Sequence, residues 1–209
     1  MDSNDKNIEL DGAEIFANWN QLVQTEEKPV ATDDILDMAL DSLAIDGGEQ
    51  HFLDLFQNTN LSNMDLVALK LVKQYTPDFK SESQQMKTQM HHFLMRLAGE
   101  HGDELRVAGL SEEQIGQLVE GKLPINWTVH LKYPLAYGGI ITENNLVLMP
   151  HHPFHEDLHA FINQQIVTDA GVMSPAVLYV PVPKASVYVP YGSQDMAKEV
   201  IHFQQGGMK

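Results

Sequence analysis

The segment NWTVHLKYPLAYGGIITENNLVLMPHHPFHEDLHAFINQQI, residues 126–166, determines the fold that we predict for this chain. It contains two short extended runs, residues 127–131 and 146–149, joined by a loop that carries two glycines. A helix follows, with Pro153 near its first turn, where proline is well tolerated. The predicted order is therefore strand, loop, strand, helix.

Two histidines of the predicted helix are spaced four residues apart. They are His155 and His159. This spacing puts both imidazoles on one face of a helix, about a turn apart, as two ligands of a single metal ion require. A third histidine, His130, lies at the end of the first predicted strand. The segment therefore carries candidate metal ligands on two different elements.

The same segment resembles the HNH, or ββα-metal, nucleases, such as colicin-type DNases and the nuclease toxin domains of contractile injection systems. That family opens with Val-His-His-x-x-Pro-Leu-x-x-Gly-Gly. The matching residues here are Val129-His130, Pro134-Leu135, Gly138-Gly139, Asn145-Leu146-Val147-Leu148, His155 and His159. The resemblance also includes the lead-in at residues 110–127.

The resemblance implies a role for each matching residue. His130, His155 and His159 would bind the metal, and Asn145 would brace the loop. The implied catalytic residues are His130, Asn145 and His155. Leu131 stands where the family has its general-base histidine, so the base position is vacant in this chain.

By resemblance, we expect a metal-dependent endonuclease that hydrolyses DNA or RNA. A divalent ion would polarise a phosphoryl oxygen and neutralise the leaving alkoxide. Three imidazoles favour zinc, with Ni²⁺ or Mg²⁺ as the alternatives. Such a domain is often an antibacterial toxin effector, so a cognate immunity protein is an expected partner.

Two other interpretations remain open. One is an HNH scaffold without catalysis, which holds metal as an interaction protein because Leu131 cannot act as a base. The other is a zinc protease, because residues 155–159 read His-Glu-x-x-His with Glu156 as base. Against the protease stands Asp157, where the protease motif has an uncharged residue, and a third ligand would have to be Glu199 or His202.

The composition limits the classes of protein further. The chain has 13 basic and 29 acidic residues, a net charge of −16, and no cysteine, so disulfides and thiolate metal sites are excluded. Residues 1–120 hold 23 of the acidic and 8 of the basic residues. The basic run typical of a phosphate-binding surface is missing, which favours the scaffold. Without a long apolar run or a signal peptide, we expect no membrane partner and a protein that is cytoplasmic or secreted without a signal peptide.

The predicted fold class is α+β. We divide the chain into an acidic helical region, residues 1–105, and an HNH-like domain with short additional strands, residues 106–209. Hydrophobic periodicity predicts helices at residues 13–23, 33–45, 50–56, 63–75, 82–99 and 111–120. Two proline-interrupted runs, residues 176–183 and 185–191, are predicted to be edge strands or extended loops.

Overall fold

A computed structural model of the chain describes residues 48–72, 76–168, 171–172, 176–190 and 200–202. The fold is α+β, as predicted. The predicted helices at residues 13–23 and 33–45 lie outside the described residues. None of the described helices has the length and apolar character needed to cross a membrane.

Five α-helices and seven strands make up the described structure. The helices are α1 (Gly48–Gln57), α2 (Phe79–Glu100), α3 (Gly102–Ala108), α4 (Glu112–Val119) and α5 (Glu156–Ile166). The strands are β1 (Met64–Lys70), β2 (Trp127–Leu131), β3 (Leu146–Pro150), β4 (Val167–Thr168), β5 (Gly171–Val172), β6 (Val177–Pro183) and β7 (Val200–His202). They form a three-stranded sheet in the order β6-β1-β7 and two antiparallel pairs, β2-β3 and β4-β5.

The helices at residues 50–56, 82–99 and 111–120 are confirmed as α1, α2 and α4, with ends that differ by a few residues. The start of α4 shows how the sequence determines where a helix begins. The Ser111 hydroxyl accepts from the Gln114 backbone N–H, and the Gln114 side chain accepts from the Ser111 N–H. This capping box satisfies two of the backbone donors that a helix start leaves open.

The predicted helix at residues 63–75 is wrong. Residues Met64–Lys70 form β1, which pairs antiparallel with β6 and parallel with β7. Its four consecutive apolar residues, from Leu66 to Leu69, are all buried. A short apolar run suits a strand with both faces covered, and hydrophobic periodicity alone cannot separate it from a helix.

The predicted boundary after residue 105 falls inside helix α3. In addition, β1 from the first part hydrogen-bonds with β6 from the second. Within the described residues, the chain therefore does not divide at that point. The acidic residues between 48 and 105 belong to the same packed structure as the segment 126–166.

The two proline-rich runs differ. β6 lies at one edge of its sheet, as its prolines predict. In residues 185–190, only Val187 forms a bridge, to Leu148 of β3. This run is therefore an extended segment beside β3 rather than a strand of a sheet.

Two hydrophobic cores lie on opposite sides of the β2-β3 ribbon. The core that we call the sheet core contains side chains of α1, β1, α5 and β6. The helical core contains side chains of α2, α4 and the α3 region. β3 contributes to both, since Val147 and Met149 lie in the sheet core and Leu146 and Leu148 in the helical core. This alternation follows from the two-residue period of a strand.

Candidate metal centre

Strand β2 has one apolar face and one polar face. Val129 and Leu131 pack into the helical core. Thr128 and His130 point to the opposite face, because neighbouring side chains of a strand diverge. The register pairs His130 with Val147 of β3, whose side chain lies in the sheet core. His130 is therefore directed toward the side of the ribbon on which α5 packs.

The second and third histidines come from the start of α5. Residues His151–His155 form a kinked turn, and the regular helix begins at Glu156. Pro153 thus lies in the turn that precedes the helix, slightly earlier than predicted. The spacing of four residues still brings His155 against His159, with their Nε2 atoms 2.9 Å apart.

The structure brings the three predicted ligands together. The ring centroid of His130 lies 5.4 Å from that of His155 and 5.3 Å from that of His159. One nitrogen from each ring lies within 4.8 Å of the other two. A tetrahedral zinc ion with Zn–N bonds of about 2.0–2.1 Å separates its ligand nitrogens by roughly 3.3 Å. Side-chain movements of a few tenths of an ångström to about 1.5 Å would therefore bring the three imidazole nitrogens to the separations that one ion requires.

Burial keeps these imidazoles neutral. Burial, together with His159 and His155, holds the pKa of His130 well below its usual value of 6.5. For His155, burial and the neighbouring His159 and His151 lower the pKa to about 3. Burial and His151 lower the pKa of His159 to about 4. At neutral pH each ring thus keeps a nitrogen lone pair, which metal coordination requires.

Asn145 fixes the loop between the two strands. Its side chain is 2% exposed. Oδ1 accepts from the Tyr133 backbone N–H at 2.8 Å. Nδ2 donates to the carbonyls of Tyr133 and Ile140, at 2.9 and 3.0 Å. One amide thereby ties both ends of the loop, and Asn145 is the residue that the resemblance predicts to brace it.

The two loop glycines have different backbone requirements. Gly138 adopts a positive φ of 89° at the end of a short 3₁₀ turn, a conformation that glycine adopts at little cost. At Gly139, a β-carbon would lie 1.9 Å from the Tyr133 carbonyl oxygen. The loop therefore folds back on itself at a distance that only glycine allows.

Leu131 lies away from the three histidines. It is 8% exposed and packs into the helical core with Val129 and Leu146. A side chain at this position therefore serves the core, on the face opposite to His130. In this structure the position implied for the general base holds an apolar side chain that is part of the packing.

Comparisons with known proteins show sequence similarity to a protein that is itself named as uncharacterized. No family model matches the chain, and no solved structure matches it. The chain is 27% identical over 137 residues to the "Uncharacterized protein YhhZ" of Escherichia coli strain K12. The match covers 64% of this chain and 33% of that protein, so the chain spans about a third of its length.

A second group of polar side chains lies beside the three histidines. The carboxylate of Glu156 lies 2.8 Å from Nδ1 of His152 and 3.8 Å from Nδ1 of His151. The sequence interpretation considered Glu156 as a general base and not as a metal ligand. The clustering was missed because it depends on the shape of the turn, in which His152 has an extended backbone.

Proposed function

We propose that this chain is a metal-dependent nuclease of the ββα-metal type, which hydrolyses phosphodiester bonds in DNA or RNA. The main support is the meeting of three imidazoles, from β2 and α5, beside a loop braced by Asn145. Three protein ligands leave a tetrahedral ion one open position. A phosphoryl oxygen of the substrate would bind there.

In this proposal His130, His155 and His159 hold one divalent ion, and zinc suits three imidazoles best. The ion supplies charge stabilisation for the scissile phosphate and the leaving oxygen. Leu131 cannot accept a proton, and loss of a general base typically costs about 10²- to 10⁴-fold in rate. We therefore expect slow cleavage compared with a nuclease that has the base.

The biological setting is part of the proposal. By resemblance, the chain acts as an antibacterial toxin effector, and a cognate immunity protein binds it. It works in the cytoplasm or after secretion. The net charge of −16 favours an inhibitor with a complementary basic surface, because opposite potentials speed association.

The second candidate is a scaffold that binds metal without catalysis. Two observations favour it, namely the burial of Leu131 in the helical core and the acidic balance of the chain. The zinc protease has weaker support, because the carboxylate of Glu156 contacts His152, which lies outside the His-Glu-x-x-His motif.

A cleavage assay separates these candidates. Tag-free protein is treated with EDTA, reloaded with Zn²⁺, Ni²⁺ or Mg²⁺, and incubated with supercoiled plasmid, with a structured RNA and with casein. The nuclease proposal predicts metal-dependent nicking that His159→Ala abolishes and that His92→Ala, an exposed change on α2, leaves intact. Cleavage of neither nucleic acid by protein that binds metal would instead support the scaffold. Casein hydrolysis that Glu156→Gln abolishes would support the protease.

A further inference from the structure

The kinked turn before α5 and the first residue of that helix carry a second set of metal-type ligands. It consists of His151, His152 and Glu156. One ligand atom from each lies within 4.8 Å of the other two. The rings of His151 and His152 lie 4.9 Å apart, and the Glu156 carboxylate approaches both. In the described residues, this set and the three-histidine set are the two groups with such geometry.

We propose that His151, His152 and Glu156 form a second binding site for a divalent transition-metal ion. Two imidazoles and one carboxylate are a common ligand set for zinc, and they leave at least one position of the ion open to solvent. The carboxylate also supplies a negative charge that the three-histidine site lacks. This inference concerns metal binding alone and does not depend on nuclease activity.

The backbone presents these three side chains from a fixed turn. The N–H of His151 donates to the Asn126 carbonyl at 2.8 Å, which ties the start of the turn to the residue before β2. His152 has an extended backbone, with φ −106° and ψ 141°. Glu156 is the first residue of α5, so its position is set by the helix. Ordered backbone on both sides lowers the entropic cost of bringing the ligands to one ion.

The two proposed sites are adjacent but differ in exposure. The His151 ring lies 5.3 Å from that of His155. The side chains of His151, His152 and Glu156 are 39, 66 and 51% exposed, whereas the histidines of the first site are buried or half-buried. Because solvent competes for exposed ligands and a neighbouring dication repels a second one, the second ion should bind more weakly.

The ordinary alternative is an ion pair between a protonated histidine and a carboxylate. The chain contains another histidine–carboxylate contact, between His101 and Glu104 at the start of α3. That pair belongs to neither group of three ligands. It is therefore a matched control, because it has the same two residue types on an exposed turn but not the third ligand.

Zinc titration tests the proposal. Tag-free full-length protein is stripped with EDTA and titrated with Zn²⁺ alone, and the stoichiometry is followed by calorimetry and by atomic emission after gel filtration. The unmutated protein should bind two equivalents, one tight and one weaker. His152→Ala and Glu156→Gln should each remove the weaker equivalent, while His101→Ala should keep both. Circular dichroism verifies that each variant is folded.

A variant of the three-histidine site completes the test. His159→Ala should lose the tight equivalent and keep the weaker one. A single equivalent in the unmutated protein would overturn the second site. So would two equivalents in folded His152→Ala, or the loss of both in His159→Ala, which would mean that the ions share one cluster. These outcomes are independent of plasmid cleavage, so failure here leaves the proposed function standing.

Discussion

The two faces of the β2-β3 ribbon are formed by the same ten residues but have different roles. On one face, Val129 and Leu131 pack against helices α2 and α4 in the helical core. On the other, Thr128 and His130 point away from that core, and the His130 ring lies against those of His155 and His159. The first face is wholly apolar, and the second presents a candidate metal ligand beside a buried hydroxyl.

This difference shows how a short strand can hold a site without weakening the core. Since side chains alternate, a histidine at position 130 leaves both neighbours, Val129 and Leu131, free to bury apolar surface. It also explains why the position implied for the base is apolar here. In this structure position 131 belongs to the face that packs in the core. A substitution there should therefore affect the stability of the protein more than its chemistry.

The largest expected effect is therefore on the apolar face. Leu131→Ala should lower the free energy of unfolding by about 2–4 kcal/mol, because it removes buried methyl groups and leaves a cavity. Urea denaturation of metal-free protein measures this change. Val107→Ala, at a position 70% exposed, is the control and should change stability by less than about 0.5 kcal/mol. An equally small effect at Leu131 would show that this face does not pack as described.

The second-largest expected effect is the loss of metal from the three-histidine site on the polar face. His159→Ala should weaken the tight zinc site by roughly 10²-fold or more, since zinc binding of about 10–16 kcal/mol in structural sites with four protein ligands corresponds to a few kcal/mol per ligand. Competition with a chromophoric chelator gives the dissociation constant. Unlike Leu131→Ala, this change should have little effect on the stability of the metal-free protein. Equal zinc affinity in His159→Ala and His92→Ala would contradict the three-histidine site.

A smaller effect is expected at the loop that joins the strands. Asn145→Ala leaves one N–H and two carbonyls of the loop without their side-chain partner. We expect a loss of about 1–3 kcal/mol in the free energy of unfolding. Asn144→Ala, at the exposed neighbouring position, should be close to neutral. If both variants are equally stable, the hydrogen bonds of Asn145 do not hold the loop.

The sequence predicted this ribbon better than it predicted the rest of the fold. The strand at residues 127–131 has the predicted ends, because a β-branched, aromatic run between turn residues is a strong local signal. The meeting of His130 with His155 and His159 followed from the resemblance together with helical spacing. β1 was mistaken for a helix because its pairing with β6, more than a hundred residues later, leaves no local signal.

The second ligand cluster could not be predicted for a similar reason. Adjacent histidines such as His151 and His152 usually point in different directions, and a glutamate four residues after His152 suggests only a helical pair. It is the kinked turn before α5, in which His152 has an extended backbone, that brings all three side chains together. Proline at position 153 indicates a turn, but its exact geometry depends on how β3 and α5 pack together.

The smallest expected effect concerns Thr128, the residue that shares the polar face with His130. Its side chain is 1% exposed, and its hydroxyl has no hydrogen-bond partner among the described residues. Thr128→Val keeps the shape and removes the hydroxyl, so the free energy of unfolding should stay the same or rise by up to about 1 kcal/mol. Urea denaturation and zinc competition are measured side by side. If zinc affinity is unchanged, the hydroxyl only fills space beside the site. A loss of about 10-fold in zinc affinity without a loss of stability would mean that Thr128 supports a ligand when the ion is bound, and the polar face would extend beyond its histidine.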